Sequence, residues 1–258
     1  MNNSPFACRY LPLVTALALL GCSSSDKKPD EGSRREGPLY VVSNTLLVPD
    51  SVTSYVTVVD SLEAGAEVEP SKFLELPGSA RAYGLEGGDA VYATSSEAPT
   101  LTEITFGADG SAVKGRTLSF ANLGIDSTSG GNVILHVSPT KAYFVSQDSL
   151  DIVVWNPQDM ELTATIALNL ELDAAFPYPS FYPRPIVVGD KLVLVANNSN
   201  DENLGPGAFV VVVDTKTDTI ESTRLETRCH SMLQSGVNAD GDRYFASSDI
   251  AAAEHFLD

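Results

Sequence analysis

Residues 132–168 read NVILHVSPTKAYFVSQDSLDIVVWNPQDMELTATIAL, and this stretch decides the fold. Asn132 to Val137 is an apolar, β-branched run that ends at the turn Ser138-Pro139-Thr140-Lys141. Ala142 to Ser146 is a second run, and Leu150 to Trp155 a third, closed by Asn156-Pro157-Gln158-Asp159. Leu162 to Leu168 alternates apolar and polar residues and makes a fourth. Short β-branched and aromatic runs separated by Pro, Gly, Asn and Asp predict consecutive antiparallel strands.

The same plan recurs on both sides. Leu39-Tyr40-Val41-Val42-Ser43, Val91-Tyr92-Ala93-Thr94-Ser95, Ala142-Tyr143-Phe144-Val145-Ser146, Leu192-Val193-Leu194-Val195-Ala196 and Arg243-Tyr244-Phe245-Ala246-Ser247 align. Positions 40, 92, 143, 193 and 244 are separated by 52, 51, 50 and 51 residues. Self-similarity at a fixed period marks supersecondary units that bury their apolar faces only against one another. In the fourth unit Ile186-Val187-Val188, the turn Gly189-Asp190, the strand 192–196, Phe209 to Val213 and Ile220 to Leu225 repeat the order. The second unit follows with Tyr83-Gly84-Leu85, the turn Gly87-Gly88-Asp89 and strands at 91–95, 101–106 and 116–120. No segment has helical periodicity. The expected fold is an all-β β-propeller with four-stranded blades of about 51 residues. A solenoid or a plain sandwich is the alternative; solenoid repeats are usually shorter and sandwich strands do not normally repeat in sequence.

The order of an apolar strand, a Ser-Pro or Gly-Asp turn, a Tyr-bearing strand, a Val-Val-Asp-Thr strand end and a Thr-rich strand resembles YVTN-type β-propeller repeats. Tyr40-Val41-Val42-Ser43-Asn44 and Val211-Val212-Val213-Asp214-Thr215 carry that resemblance, which covers residues 38 to 249. It implies the fold and leaves the activity open, because the superfold hosts binders, enzymes and scaffolds. The blades expected are about 38–79, 80–130, 131–180 and 181–228, with a partial blade at 229–258. That reading holds seventeen strands, opening on a second strand and stopping after another. Seven blades would need about 360 residues, so an incomplete, C-terminally truncated seven-bladed propeller is expected. A small closed propeller with residues 248–258 at its seam is the alternative.

Residues 1–21 read as a leader: Arg9, an apolar run from Tyr10 to Leu20, then Gly21. The run is too short to cross a bilayer as a helix and suits a signal-peptide core. Leu19-Leu20-Gly21-Cys22 resembles the lipobox of bacterial lipoproteins, which implies cleavage before Cys22 and lipid on its thiol. An ordinary secretory signal with an incidental cysteine is the alternative. Ser23 after Cys22 implies, by the Gram-negative sorting pattern, the outer membrane. A lipobox ahead of such a propeller also resembles the lipoproteins encoded beside myxochelin siderophore genes. Residues 22–37, after the cysteine, are polar and charged and read as a solvated tether of about 50 Å at full extension. Processing leaves Cys229 as the only free thiol, so no intramolecular disulfide is expected.

The formal net charge is −18. Such a balance argues against binding a phosphate backbone or anionic lipid, so no nucleic-acid partner is expected. Hydrophobic residues make up 43% of the chain, enough for a core.

Two insertions interrupt the repeat on the face where second-to-third strand loops and interblade connections are expected to emerge. Phe176-Pro177-Tyr178-Pro179-Ser180-Phe181-Tyr182-Pro183 is one. Phe176, Tyr178, Phe181 and Tyr182, held by prolines, suit partner binding with little entropy lost on docking; they equally suit packing over a blade edge. Asn197 to Asn203 is the other: its oxygens suit Ca²⁺, but no EF-hand spacing is present, and a solvated loop is the alternative. Arg81, Arg184 and His230 fall near first-strand starts, where converging cations would focus an anionic ligand or else pair with carboxylates such as Glu86 or Asp173. His136, His230 and His255 show no metal-ligand spacing, and no CxxCH, GxSxG or phosphate loop is present. His136, Trp155 and the strand tyrosines read as core. No catalytic residues, metal or cofactor are expected.

The function expected is a non-enzymatic envelope lipoprotein binding a protein, a glycan or an anionic ligand such as a ferric siderophore. The runner-up is a lactonase-like propeller hydrolase with its site at the channel mouth. A passive envelope scaffold is the third reading.

Overall fold

Runs of Val, Ile, Tyr and Phe broken every few residues by turn formers leave the chain no choice but short paired strands. The computed structural model describes residues 15–19, 39–48, 51–59, 61–63, 68–85, 88–182, 184–200, 202–227, 232–237 and 242–247. Among them lie nineteen strands, two more than the sequence predicts. The chain is all-β, built from several four-stranded antiparallel sheets. It divides into two compact units, Met1–Glu97 with Leu101–Arg116 and Ala98–Thr100 with Thr117–Asp258.

In the first unit β1 (Thr15–Leu19), β2 (Leu39–Val48), β3 (Ser51–Val59) and β4 (Leu74–Pro77) form one sheet in that order. β1 is the first unpredicted strand. It lies inside the apolar run read as a leader and pairs Leu19 with Leu39 through Thr15 with Ser43. A chain processed before Cys22 would lack β1 and expose the edge of β2. The next sheet is β5 (Ala82–Gly84), β6 (Ala90–Ala93), β7 (Thr100–Phe106) and β8 (Ala112–Ser119). Val41, Val56, Val58, Leu76, Ala80, Val91, Ala93 and Ile104 make one core between these strands.

The second unit holds β9 (Val133–Ser138), β10 (Lys141–Val145), β11 (Asp151–Asn156) and β12 (Glu161–Ala167), paired in sequence order. Next come β13 (Tyr178–Ser180), β14 (Ile186–Val188), β15 (Lys191–Ser199), β16 (Leu204–Asp214) and β17 (Thr219–Glu226) in one sheet, then the pair β18 (Met232–Val237) and β19 (Arg243–Ser247). Alternate residues explain the continuous apolar runs. Tyr143, Val145, Ile152 and Val154 face Leu192, Leu194, Ala196, Val211 and Val213 in a shared core. Phe144 points the opposite way and stacks on Phe120, with ring centroids 4.7 Å apart. Strands buried on both faces lose the simple polar alternation. The last strand of each sheet escapes this rule: β8, β12 and β17 are exposed along most of their length, which is why they are rich in Thr, Glu, Lys and Arg.

The same five-residue turn closes two hairpins. Asn156–Met160 joins β11 to β12 and Asp214–Asp218 joins β16 to β17; the amides of Met160 and Asp218 each donate back four residues at 2.9 Å. The Asn156 and Asp214 side chains accept amides two residues on. Met160 and Asp218 close the turns with φ of 56° and 54°, the left-handed region that costs a residue with a Cβ about 1–2 kcal/mol.

Candidate functional site

The aromatic insertion contains a short strand. Tyr178, Pro179 and Ser180 pair with Ser199, Asn198 and Asn197, so β13 is the second strand the sequence does not predict. Its partner is the other insertion: Asn197 to Ser199 prolong β15 rather than opening a loop. Periodicity missed both because Pro-rich and Asn-rich segments are depleted in strands. Proline is tolerated here because β13 is an edge strand.

Each aromatic has its own place. Phe181 is 1% exposed and packs in the core with Leu192, Leu194 and Phe209, so it offers no surface to a partner. Tyr178 and Tyr182 are about half exposed, at 49% and 50%. Phe176 is half-buried. A Cβ on Gly205 would sit 3.0 Å from the Phe176 ring carbon Cγ and 3.1 Å from Asn198 Cβ, so the close approach of β16 needs glycine.

Asn197 holds this end together. Its Nδ2 donates to the Tyr182 carbonyl at 2.6 Å and to the Met232 carbonyl at 3.1 Å, tying the insertion and β18 to β15. Ser199 Oγ donates to the Tyr178 carbonyl at 3.2 Å. The side chains of Asn197 and Asn198 are buried, and their Oδ1 atoms accept no hydrogen bond. Asn200 Oδ1 accepts the Glu202 and Asn203 amides, and its Nδ2 donates to the Ala175 carbonyl. The Asn200 oxygen proposed as a hard cation ligand is thus occupied by the loop's own amides.

Arg184 follows Tyr182 closely and is exposed; its Nη2 donates to the Ile134 carbonyl at 3.0 Å. His136 lies beside it on β9. Burial first, and then the Arg184 guanidinium, push the imidazole down to about 4, so it is neutral at ordinary pH. Its ring meets the edge of the buried Trp155, with centroids 5.7 Å apart. Arg81 is exposed and belongs to the first unit, where its backbone pairs with Thr94. His230 and Cys22 lie outside the described residues. Asp173 accepts the Ala175 amide.

The opposite end of the same sheets carries a polar latch that the sequence reading does not find. Tyr143 Oη donates to Asp218 at 2.6 Å, and Lys141 Nζ donates to the other oxygen of Asp218 at 2.7 Å and to the Thr215 carbonyl at 2.6 Å. Burial, then the bond to Asp218, raises the phenol far above its ordinary range. Lys191 bridges Asp214 and Glu221, at 2.7 Å and 2.6 Å. Bonds from Lys191 and from the turn amides hold Asp214 well below the usual carboxylate range. Aligning Met160 with Asp218 by turn position is the signal that could have found the latch.

No protein-family model matches the sequence, and no curated protein matches it. Solved structures do. The chain aligns with a candidate 6-phosphogluconolactonase from Bacteroides uniformis at a TM-score of 0.50 and 13% identity, over 83% of this chain and 72% of the other. Hydrazine synthase of Kuenenia stuttgartiensis gives 0.48 and 16% over 76% of this chain, and dihydro-heme d1 dehydrogenase NirN in complex with DHE gives 0.46 and 11% over 80%. The chain spans only 52% and 40% of those two proteins. The sheets and the likeness to the Bacteroides uniformis structure define an all-β protein with a fold of propeller type. Identities this low speak of fold alone.

Proposed function

We propose that this chain is a non-enzymatic, lipid-anchored protein of the bacterial envelope, held at the outer membrane through Cys22. Its propeller-type module, a seven-bladed YVTN-like propeller in this reading, binds a partner through the end of the second unit that presents Tyr178, Tyr182 and Arg184. The observation that carries the reading is the exposure of two tyrosines on a segment anchored by Phe181 in the core and by Asn197 at the Tyr182 carbonyl. A rigid aromatic pair next to a guanidinium loses little entropy on docking, and it suits a ligand that joins flat or apolar surface to negative charge. A ferric siderophore, an acidic glycan and an acidic protein loop share that chemistry.

The test is equilibrium titration of the whole protein with a negatively charged ferric siderophore and with acidic oligosaccharides. Saturable binding that Tyr182→Ala weakens by about tenfold, the scale of an interface hot spot, is the expected result. Binding unchanged in Tyr178→Ala, Tyr182→Ala and Arg184→Gln sinks the assignment. The name of the Bacteroides uniformis protein gives a second reading, a lactonase-like hydrolase. A stoichiometric, tightly held metal together with lactone hydrolysis by the purified protein would favour it.

A further inference from the structure

The β2–β3 hairpin changes character along its length. At its base Val41, Val56 and Val58 are core. At its end Leu46, Leu47 and Val52 are 50%, 73% and 38% exposed. β1 pairs β2 only as far as Ser43, and β4 pairs β3 only as far as Thr53. On the β3 side the Gly78 amide still reaches the Val52 carbonyl at 2.9 Å, and beyond Ser43 no third strand lies beside β2 among the described residues. Leu47 lies opposite Val52 and Leu46 opposite Thr53. Leu46 and Leu47, being adjacent, point to opposite faces, so the tip is apolar on both sides.

We infer that this tip docks on a lipid surface, entering the headgroup region of a zwitterionic bilayer. A flat protein partner would cover one face and leave the other in water, whereas a membrane interface surrounds both. The sequence of the end, Asn44-Thr45-Leu46-Leu47-Val48-Pro49-Asp50-Ser51-Val52-Thr53, carries one charge, and amide and hydroxyl residues follow the apolar ones as the strands descend. That order matches the step from acyl chain to headgroup. The outer edge of β2 beyond Ser43, which pairs with no other described strand, sets the depth, because backbone groups without partners are not tolerated in hydrocarbon. The net charge of −18 selects against anionic lipid. At about 50 Å when fully extended, residues 22–37 are longer than the roughly 30 Å of β2 from Leu39 to Val48, so a lipid on Cys22 and the tip can serve one surface. This part of the argument rests on the lipoprotein reading; the two-faced tip does not.

Trp155 is the only tryptophan and is buried, so a reporter can be placed at the tip. Leu47→Trp and, as a control on β17, Leu225→Trp would be made in the full chain and mixed with phosphatidylcholine vesicles containing brominated acyl chains, the unsubstituted protein supplying the background. The expected result is a blue shift and loss of intensity for Leu47→Trp and neither for Leu225→Trp, with the Leu47→Trp response falling when phosphatidylglycerol replaces phosphatidylcholine. Equal responses at the two positions overturn the proposal. So does a Leu47→Trp emission that is blue-shifted and concentration-dependent before lipid is added, which would put a second copy on the tip. A Cys22 that carries no lipid in the unsubstituted protein, with the tip response retained, would reject the anchor and leave the docking surface standing.

Discussion

The sheets β9–β12 and β13–β17 are built on one plan and diverge at one end only. At one end each closes its last hairpin with the same five-residue turn, started by an Asn or Asp side chain and finished by a residue at positive φ. At the other end β10 stops at Val145 and turns back through Ser146 to Leu150, whereas the matching β15 runs to Ser199 and gathers β13 beside it. The shared end is devoted to packing and polar pairing between sheets. The divergent end presents side chains to solvent from a framework already ordered. Function is sought where two repeats of one plan part company, because packing alone would have kept them alike.

The comparison makes Phe181 an anchor and Tyr178 a presented group, and stability measurements separate them most widely. Phe181→Ala should cost about 3–5 kcal/mol in urea denaturation, as a large core truncation does, while Tyr178→Ala should stay within about 0.5 kcal/mol. Similar values for the two would erase the distinction between core and surface in the insertion.

A second contrast concerns pH. His136 is held at about 4 in the folded chain, against 6.5 for the free side chain. Between those values the unfolded state binds the extra proton, so stability rises with pH there. The contribution is fully present above about pH 6.5 and is lost as pH falls to about 4, up to roughly 3 kcal/mol. His136→Gln should flatten the stability profile between pH 6.5 and 4 by that amount; a profile parallel to that of the unsubstituted protein contradicts the neutral, partly buried imidazole.

The smallest expected effect tests the packing end. Tyr143→Phe leaves Asp218 with Lys141 alone and should cost about 1.5–3 kcal/mol, the range for a hydrogen bond to a charged group. Asp218→Asn should cost less, since Asn accepts positive φ and keeps an acceptor. Thermal melts of the two variants give the order; the reverse order would show that the Lys141–Asp218 ion pair outweighs the Tyr143 hydrogen bond.

How much of this was legible in the sequence differs between the two ends. The regular strands were legible because β-branched and aromatic residues repeat at a near-constant period and turn formers punctuate them. The fourth strands were legible too, as Thr-rich runs, though not their exposure on both faces. The strand character of Tyr178–Ser180 and of Asn197–Ser199 was not, since pairing between two segments of poor propensity is decided by the neighbours that sandwich them. The split of Phe181 from Tyr178 and Tyr182 was not legible either: a one-residue step in an extended chain reverses the side chain from core to solvent.

By itself the sequence determined an all-β chain of repeated antiparallel strands, because local propensity and period act along the chain. Only the tertiary structure decided which aromatic is buried, that Asn197 fastens Tyr182, that Asp218 receives Tyr143 from the neighbouring sheet, and that Leu46 and Leu47 stand exposed near the hairpin end. Each of these depends on which residues distant in sequence come together, and that is not written in the local order of residues.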